Sequence, residues 1–537
     1  MSKRTLVVAL SLMAGSICQY AQAQTDEHFD ISRFAIEGNT LLPAASIEGL
    51  VAPFSGKQKV YGDVQRALEA LEAAYRTAGY ATVHVYVPEQ ELSGGIVKLI
   101  VSEGVIGKVA VTGNQHFSEA NIRASLPALK EGTVPNARVL SENIQLSNEN
   151  PAKRIDVTLG VGQGASKIDA KVAITEEKPQ KFFMTLDNTG NASNGRYRLG
   201  VAYQNANLFD LDHVLTLAYT TSPDKPRGVD VNIYSVAYRL PLYDWGDSID
   251  IVYGNSDVNT PIVQNTGFGL SGKGEVGSLR YNHYFPRQGE YSSKLTFGVD
   301  YKYFDNSCSY NGTPYVAASC TPYTTRPLSV TYSGEWQGAG VLADYHLGLF
   351  YNSPLGSEYP NSGGGTDRYS FIANRSVDDH FSILRFGGSY MATVLTDWQA
   401  RLAFSGQYAN NGLVPGEQIS LAGSTAVRGF GERAVTADTG HLVNLELYSP
   451  ELAGNLKLPG NLRAVFFYDF ARGHNNDLLA QPPATNVGIA SAGVGLRYNL
   501  QKDLTFRTDF ANVLKAGPVG TESRGDWFGH VNLVYSF

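Results

Sequence analysis

Most of this chain follows a strict alternation of apolar and polar residues. Between residues 294 and 304, every second residue is Leu, Phe, Val or Tyr, whereas Thr, Gly, Asp and Lys stand between them. The same period returns in 494–500 and again in 531–537, at the end of the chain. Because successive side chains of a strand point to opposite faces of the sheet, this pattern predicts strands with one apolar and one polar face.

The alternating region extends from Lys178 to Phe537, and this length distinguishes a membrane barrel from a soluble sandwich. If each strand with its share of the connections uses roughly 20 to 24 residues, the region holds about 15 to 18 strands, too many for one sandwich. Tyr and Phe concentrate near the strand ends, as in interfacial girdles. In hydrocarbon, only a closed barrel satisfies all backbone groups of a sheet. The sequence therefore predicts a transmembrane all-β barrel of about 16 antiparallel strands over 178–537.

The residues before the barrel mix short strands with amphipathic helices. The clearest helix is predicted over 63–79, where apolar residues recur every three or four positions. The tetrapeptide Ile-Glu-Gly-Asn at 36–39 is echoed about 75 residues later by Val-Thr-Gly-Asn at 111–114. We therefore predict two small α/β domains in tandem, over 29–104 and 105–177.

The N-terminus has the order of a secretory signal peptide. Basic residues precede an apolar run, and Ala-Gln-Ala at 21–23 forms a small-residue cleavage site. A lipoprotein signal is disfavoured because Ile17, which is not small, precedes Cys18. We predict that 1–23 is a signal peptide and that 24–28 forms a short lead to the first domain.

Charge and cysteine content narrow the function further. The formal net charge is −7 and the pI is about 5.8, so no basic field is available to hold a nucleic acid. After signal cleavage, only Cys308 and Cys320 remain. Their spacing among turn-forming residues favours one disulfide in an oxidising compartment over a redox or metal pair.

No pattern of catalytic, metal-binding or cofactor-binding residues is found. The ten histidines are scattered, and no Gly-x-Ser-x-Gly nucleophile elbow occurs. Residues 267–274 imitate a phosphate-binding loop as far as Lys273, but Gly274 replaces the Ser or Thr and no helix pattern follows. We therefore expect neither an enzyme nor a cofactor or metal site.

Several short motifs carry a family resemblance when they are taken in order. They are Leu-Ser-Asn-Glu-Asn-Pro at 146–151, Asp-Asn-Thr-Gly at 187–190, Pro-Gly-Glu-Gln at 415–418, Val-Arg-Gly-Phe at 427–430 and Asp-Thr-Gly at 438–440. Together they resemble the outer-membrane transporters of two-partner secretion (TpsB type), in which polypeptide-transport-associated (POTRA) domains precede a barrel. The resemblance spans essentially the whole mature chain.

This resemblance implies export of a large partner exoprotein, such as an adhesin, a cytolysin or a contact-dependent toxin, from periplasm to cell surface. The POTRA domains would recognise the exoprotein unfolded, and transport would need no nucleotide hydrolysis because folding outside the cell prevents return. Outer-membrane lipid and the barrel-assembly machinery are the other implied partners. An assembly insertase of the same superfamily is the alternative, and a porin or an outer-membrane enzyme has less support.

The resemblance also places a surface loop, around 415–440, inside the barrel lumen. The tip of this loop would carry a charged arginine that needs a carboxylate partner, because a buried unpaired charge is costly. The tip residues are Val427, Arg428, Gly429 and Phe430.

The strand motif around Asp469 offers this carboxylate. Phe467, Asp469 and Ala471 share one strand face, which resembles the lumen-facing motif of the family. We predict that Arg428 and Asp469 form an ion pair. Ala471 stands where the family usually has Gly, which adds a methyl group at a point of expected close backbone approach.

Both ends of the mature chain carry a further expectation. Phe537, on the same strand face as Tyr535, resembles the C-terminal signal that barrel-assembly machinery recognises. At the other end, 24–28 is far too short for a helix that plugs a pore of roughly 30 Å at 1.5 Å per residue. We therefore expect surface loops, including the one that bears Arg428, to close the resting pore.

Overall fold

The computed structural model contains two compact units, Met1–Gly104 and Val105–Phe537. It describes residues 27–537 except 165, 193, 226–229, 257–259, 264–267, 271–273, 305–307, 311–312, 316–322, 354–376, 378 and 477–485. The predicted signal peptide and Cys320 of the predicted disulfide lie outside the described residues, so both stay predictions. None of the helices in the described ranges is long and apolar enough to cross a membrane.

The first unit is a small α/β domain. Its three-stranded sheet has the order β2-β5-β4, with β5 parallel to β2 and antiparallel to β4, and β1 pairs separately with β3. The elements are β1 (Phe29–Ile31), β2 (Arg33–Glu37), α1 (Ala44–Val51), a 3₁₀ turn (Ala52–Phe54), β3 (Gly56–Lys59), α2 (Tyr61–Thr77), β4 (Val83–Tyr86), a second 3₁₀ turn (Ser93–Gly95) and β5 (Ile96–Glu103).

Helix α2 is the helix predicted over 63–79, displaced by two residues. It starts at Tyr61 because the carboxylate of Asp63 accepts the backbone N–H of Val60, which caps the first turn. Its buried face packs on the sheet through Val64, Ala67, Leu71 and Tyr75.

A second α/β domain begins the second unit, with the order strand, helix, helix, strand, strand that β2, α1, α2, β4 and β5 have in the first domain. Its sheet order is β6-β8-β7, with β8 parallel to β6 and antiparallel to β7. Ile106, Phe117, Ile122 and Val172 are among the residues of its apolar core. The elements are β6 (Val105–Thr112), α3 (Glu119–Ala124), α4 (Ala137–Asn148), β7 (Lys153–Val161) and β8 (Lys167–Glu176).

The rest of the described chain closes into an antiparallel barrel of 16 strands, which confirms the predicted fold class. The last strand pairs with the first, so the wall has no open edge. The strands are β9 (Gln180–Asp187), β10 (Arg198–Leu208), β11 (His213–Thr221), β12 (Asn232–Leu242), β13 (Asp247–Ser256), β14 (Gly274–Tyr284), β15 (Tyr291–Phe304), β16 (Pro327–Gly338, preceded by Tyr323–Thr325), β17 (Val341–Asn352), β18 (Phe381–Leu395), β19 (Trp398–Ala409), β20 (Thr439–Tyr448), β21 (Asn461–His474), β22 (Asn486–Leu500), β23 (Leu504–Lys515) and β24 (Trp527–Ser536).

Short elements lie outside the wall. A four-residue helix, α5, follows β20, and a 3₁₀ turn lies between β19 and β20. Three small two-stranded pairs complete the described elements. These elements are α5 (Ala453–Leu456), the turn Pro415–Glu417, and the pairs Thr260–Val263 with Phe268–Leu270, Cys308–Tyr310 with Thr313–Tyr315, and Ile419–Ser420 with Thr436–Ala437.

The alternation of the sequence corresponds to the two faces of the wall. On β21, Phe466 and Tyr468 are 49% and 43% exposed on the outer face, whereas Phe467 and Asp469, which alternate with them, are buried towards the lumen. The outer face is therefore apolar, as contact with lipid requires.

The second α/β domain is joined to the barrel through buried polar contacts. The ammonium of Lys153, on β7, pairs with Asp212 in the turn after β10, and both side chains are almost fully buried. Tyr243, in the turn after β12, donates its hydroxyl to the same carboxylate at 2.5 Å. The backbone carbonyl oxygen of Tyr243 accepts a 2.8 Å hydrogen bond from the Asn143 side chain. Two turns of the barrel are thus held by this domain.

Candidate functional site

The loop that joins β19 to β20 folds back into the barrel. Its two arms pair through Ile419–Ser420 and Thr436–Ala437, so the loop is a hairpin. It packs on the inner faces of β20 to β23 through a buried apolar cluster. The cluster comprises Leu421, Ala422, Ala426, Val427, Phe430, Val435, Ala437, Leu442, Ala471, Val487, Ile489 and Val513.

Arg428 lies at the tip of this hairpin and reaches Asp469 on β21. Its Nε and Nη2 donate to the two carboxylate oxygens, each at 2.7 Å, and its backbone N–H donates to Asp469 at 3.1 Å. Both side chains are buried, with exposures of 4% and 0%. This is the bidentate geometry in which a guanidinium and a carboxylate bind most strongly.

Two further acids surround the same guanidinium. Nη1 of Arg428 donates to Glu446 on β20 at 2.8 Å and lies 3.5 Å from Asp509 on β23. Arg401 also binds Glu446, at 3.0 Å, and Arg497 binds Asp509 at 2.8 Å. Three acids and three guanidiniums therefore form one network, in which the acids and Arg428 are buried and Arg401 is 33% exposed. Their opposite charges offset each other's desolvation.

The neighbours of Arg428 in the sequence fix the tip. Gly429 has φ of +95°, and a Cβ at this position would lie 3.2 Å from the methyl group of Ala511, so a larger residue would be strained. Its N–H donates to Nε2 of His530 on β24 at 3.2 Å. Phe430 is fully buried in the apolar cluster of the hairpin.

The face of β21 that carries Asp469 contacts the loop at two other positions. The guanidinium carbon of Arg428 lies 3.6 Å from the ring centroid of Phe467. Ala471 is fully buried in the cluster with Leu421 and Val427. The methyl group of Ala471 therefore packs against the loop.

Glu417 forms a second anchor at the base of the hairpin, against a different part of the wall. Its carboxylate accepts hydrogen bonds from Lys302 on β15 at 2.9 Å, from Arg385 on β18 at 3.1 Å and from Thr325 at 2.8 Å. Its carbonyl oxygen accepts one from Gln407 at 2.9 Å. Burial alone would raise the pKa of Glu417, but the two cations lower it to about 2.

Sequence reasoning singled out Arg428 and Asp469, and the structure brings them together. The sequence analysis assigned no role to Glu417, Glu446 or Asp509, although Glu417 lies within the motif at 415–418. The alternation along the strands indicates part of this, because an acidic or basic side chain on the polar face of a predicted strand points into the lumen and must find a partner there. Register and loop path, which decide the partners, are not local properties.

The C-terminal residues lie at the closure of the barrel. The backbones of Phe537 and Phe182 exchange two hydrogen bonds of 3.0 Å, and their rings stack with centroids 5.7 Å apart. Tyr535, also stacked on Phe537, is 44% exposed on the outer face. Their predicted part in assembly stays a prediction.

The barrel is closed, has an apolar outer face and holds a loop in its lumen through charged contacts. These features define an outer-membrane β-barrel protein, in which two small α/β domains precede the barrel. Residues 164–498 match the family of haemolysin secretion/activation proteins ShlB/FhaC/HecB, and 29–104 match the ShlB-type POTRA domain. The chain belongs to this family, the outer-membrane TpsB transporters of two-partner secretion.

Individual relatives and a solved structure resemble most of the chain. The outer membrane transporter CdiB of Dickeya dadantii is 23% identical over 481 residues, which cover 86% of this chain and 80% of that protein. The heme/hemopexin transporter protein HuxB of Haemophilus influenzae is 21% identical over 473 residues, covering 82% and 76%. The structure of CdiB from Escherichia coli superposes with a TM-score of 0.74 at 20% identity, covering 97% of this chain and 93% of that one. The shared fold thus extends over nearly the entire chain.

Proposed function

We propose that this chain exports a large partner exoprotein, of the adhesin, cytolysin or contact-dependent toxin class, as an unfolded polypeptide. The POTRA domains, over 29–104 and 105–177, receive it in the periplasm, and the barrel, over 178–537, conducts it to the surface. The observation that supports this most is the hairpin that Arg428 and Glu417 hold inside the lumen. A passive pore has no need of a buried, charge-anchored obstruction.

The two anchors give the hairpin a closed position that can be released. Arg428 binds acids on β20, β21 and β23, whereas Glu417 binds cations on β15 and β18. Both anchors consist of polar bonds that an incoming hydrated chain can replace. We infer that the resting pore is closed by this loop and that entry of the exoprotein displaces it.

Recognition of an unfolded chain requires bonds that do not depend on its sequence. Sheet edges offer backbone N–H and C=O groups, which bind any extended segment by strand addition. Transport then needs no nucleotide hydrolysis, because the exoprotein buries apolar surface as it folds outside and cannot return. The direction of transport is set by folding of the exoprotein outside the cell.

Three parts of this proposal concern biogenesis. The signal peptide over 1–23 directs the chain to the periplasm, and the barrel-assembly machinery recognises the strand that ends at Tyr535 and Phe537. A Cys308–Cys320 disulfide then forms in that oxidising compartment.

Export can be tested in cells that lack the chromosomal gene and carry a plasmid copy. We expect Arg428→Ala to insert normally but to release much less exoprotein into the medium, because Asp469 loses its cation and the tip of the hairpin loses its anchor. Arg524→Ala, in an exposed loop, is the matched control and should export normally. Normal release by correctly inserted Arg428→Ala would contradict the role of the hairpin.

The same strains separate export from barrel assembly. If the chain is a transporter, its deletion removes the exoprotein from the medium and leaves the amounts of other outer-membrane barrels unchanged. A general fall of those barrels would instead indicate an insertase.

A further inference from the structure

The lipid-facing wall of the barrel is recessed where two small residues meet. Ala392 on β18 and Ala400 on β19 lie directly opposite each other in the strand pairing. They share the outer face with Tyr390 and Leu402, which are two residues away and are 50% and 43% exposed. Because two methyl groups stand here among large side chains, the outer face has a shallow groove at this place.

The groove crosses four strands, β18 to β21, and has a volume of about 460 Å³. Large apolar and aromatic side chains surround the two alanines, among them Tyr390, Val394, Leu402, Leu447, Phe466 and Tyr468. It lies next to the turns that join β18 to β19 and β20 to β21. These turns are at the same end of the barrel as those held by the second α/β domain. The groove therefore belongs to the periplasmic half of the wall.

The two turns at the periplasmic end of the groove are bonded to each other. Nη2 of Arg463 binds the carboxylate of Asp397 at 2.5 Å, and the N–H of Glu451 donates to the same carboxylate at 2.7 Å. The carboxylate of Glu451 in turn accepts the N–H of Gly454, in α5, at 3.0 Å. Both acids of these turns are thus engaged within the protein.

The same pair of turns presents an exposed cation, Lys457, directly after α5. Among the residues that the structure describes, its ammonium has no hydrogen-bond or ion-pair partner. Its backbone φ is +55°, a conformation in which Gly is preferred at the end of a helix. Leu456 and Leu458 on either side are 59% and 46% exposed. Leucines that flank a free cation are typical of a segment at a membrane interface.

We propose that the groove and Lys457 together bind one anionic glycerophospholipid of the periplasmic leaflet. One acyl chain packs on Ala392 and Ala400, and the phosphate group binds the ammonium of Lys457. Two observations favour a lipid over a protein partner. The groove is continuous with the apolar outer face that contacts the membrane, and the free cation at its periplasmic end complements the charge of a phosphate. The site depends on the position of the barrel in the membrane and not on the proposed function.

Native mass spectrometry of the full-length protein in detergent micelles tests this site, with dioleoylphosphatidylglycerol as the probe. We expect Lys457→Gln to weaken binding of the probe about fivefold, because one cation near the phosphate is lost. Ala400→Phe fills the groove and should weaken binding about tenfold. The matched controls are Arg287→Gln, at an exposed position of another periplasmic turn, and Leu349→Phe, on the outer face of β17. Both controls should bind the probe as wild type does.

Photocrosslinking locates the bound lipid. In nanodiscs that contain phosphatidylglycerol with a diazirine in one acyl chain, we expect adducts to concentrate on β18 to β21, near Ala392 and Ala400. Adducts spread evenly around the wall, or wild-type affinity in both Lys457→Gln and Ala400→Phe, would overturn the proposal. Equal affinity of the wild-type protein for dioleoylphosphatidylcholine would also contradict it, because the choline cation of that lipid offsets its phosphate. Heat-modifiable migration in gel electrophoresis shows that each variant is a folded barrel.

Discussion

The guanidinium of Arg428 lies over the ring of Phe467, 3.6 Å from its centroid. The same guanidinium binds Asp469, two residues further along β21, through two hydrogen bonds. The ring packs against the plane of the guanidinium, and the carboxylate accepts hydrogen bonds along its edge. The contact with the aromatic face also stabilises the cation. One strand face therefore orients the arginine in two directions.

This stacking predicts a measurable contribution from the aromatic ring. Phe467→Leu keeps an apolar side chain but removes the cation–π contact, so we expect it to lower barrel stability by about 1 kcal/mol. The adjacent Phe466 is exposed on the outer face, and Phe466→Leu is the control. The temperature at which the folded band disappears in gel electrophoresis measures both. Equal effects would show that only apolar volume matters.

A double-mutant cycle should show strong coupling between Arg428 and Asp469. Each single change to Ala leaves a buried charge with too few partners and is expected to cost about 3 to 5 kcal/mol. The double variant removes both charges, so its loss should be well below the sum of the two. Urea unfolding followed by tryptophan fluorescence measures the three values. Additive losses would mean that the pair contributes little beyond its separate contacts.

The Glu417 anchor should respond to acid. Because the pKa of Glu417 is lowered from 4.5 to about 2 in the folded protein, its stabilisation is complete above pH 4.5 and is lost as the pH falls towards 2. We expect pore conductance in planar bilayers to stay low down to about pH 4.5 and to rise below it.

Glu417→Gln is the control for this pH response. It removes the charge at every pH, so its conductance should already be raised at pH 7. A low conductance of Glu417→Gln at pH 7, or an acid response of this variant identical to that of wild type, would show that other groups control the opening.

The buried ion pair of Lys153 and Asp212 should keep the second α/β domain on the barrel. Lys153→Met leaves the Asp212 carboxylate buried without its cation, which costs about 3 to 5 kcal/mol. We expect amide exchange in the turn that carries Asp212 to accelerate more than a hundredfold. Lys167→Met, at an exposed position of β8, should leave it unchanged. Adding Asp212→Asn to Lys153→Met should restore part of the protection.

Local patterns account for the parts of the fold that were predicted. Alternation identifies strands and their apolar face because a side chain's face depends only on its position along the strand. The same reasoning puts Lys302 on the polar face of its strand, which is the side where it meets Glu417. The helix over 63–79 was displaced by two residues because its start depends on one cap, the bond between Asp63 and Val60.

The sequence by itself determined the two classes of domain, the apolar exterior of the barrel and the residue types available to its lumen, since each follows from periodicity and composition within a short window. Only the tertiary structure decided which charges meet. Arg428 contacts acids 18, 41 and 81 residues away, on three strands. Glu417 contacts cations from two others. Which of these distant residues meet is set by the register of the strands and by the path of the loop that folds back into the lumen. Both are cooperative properties of the closed barrel.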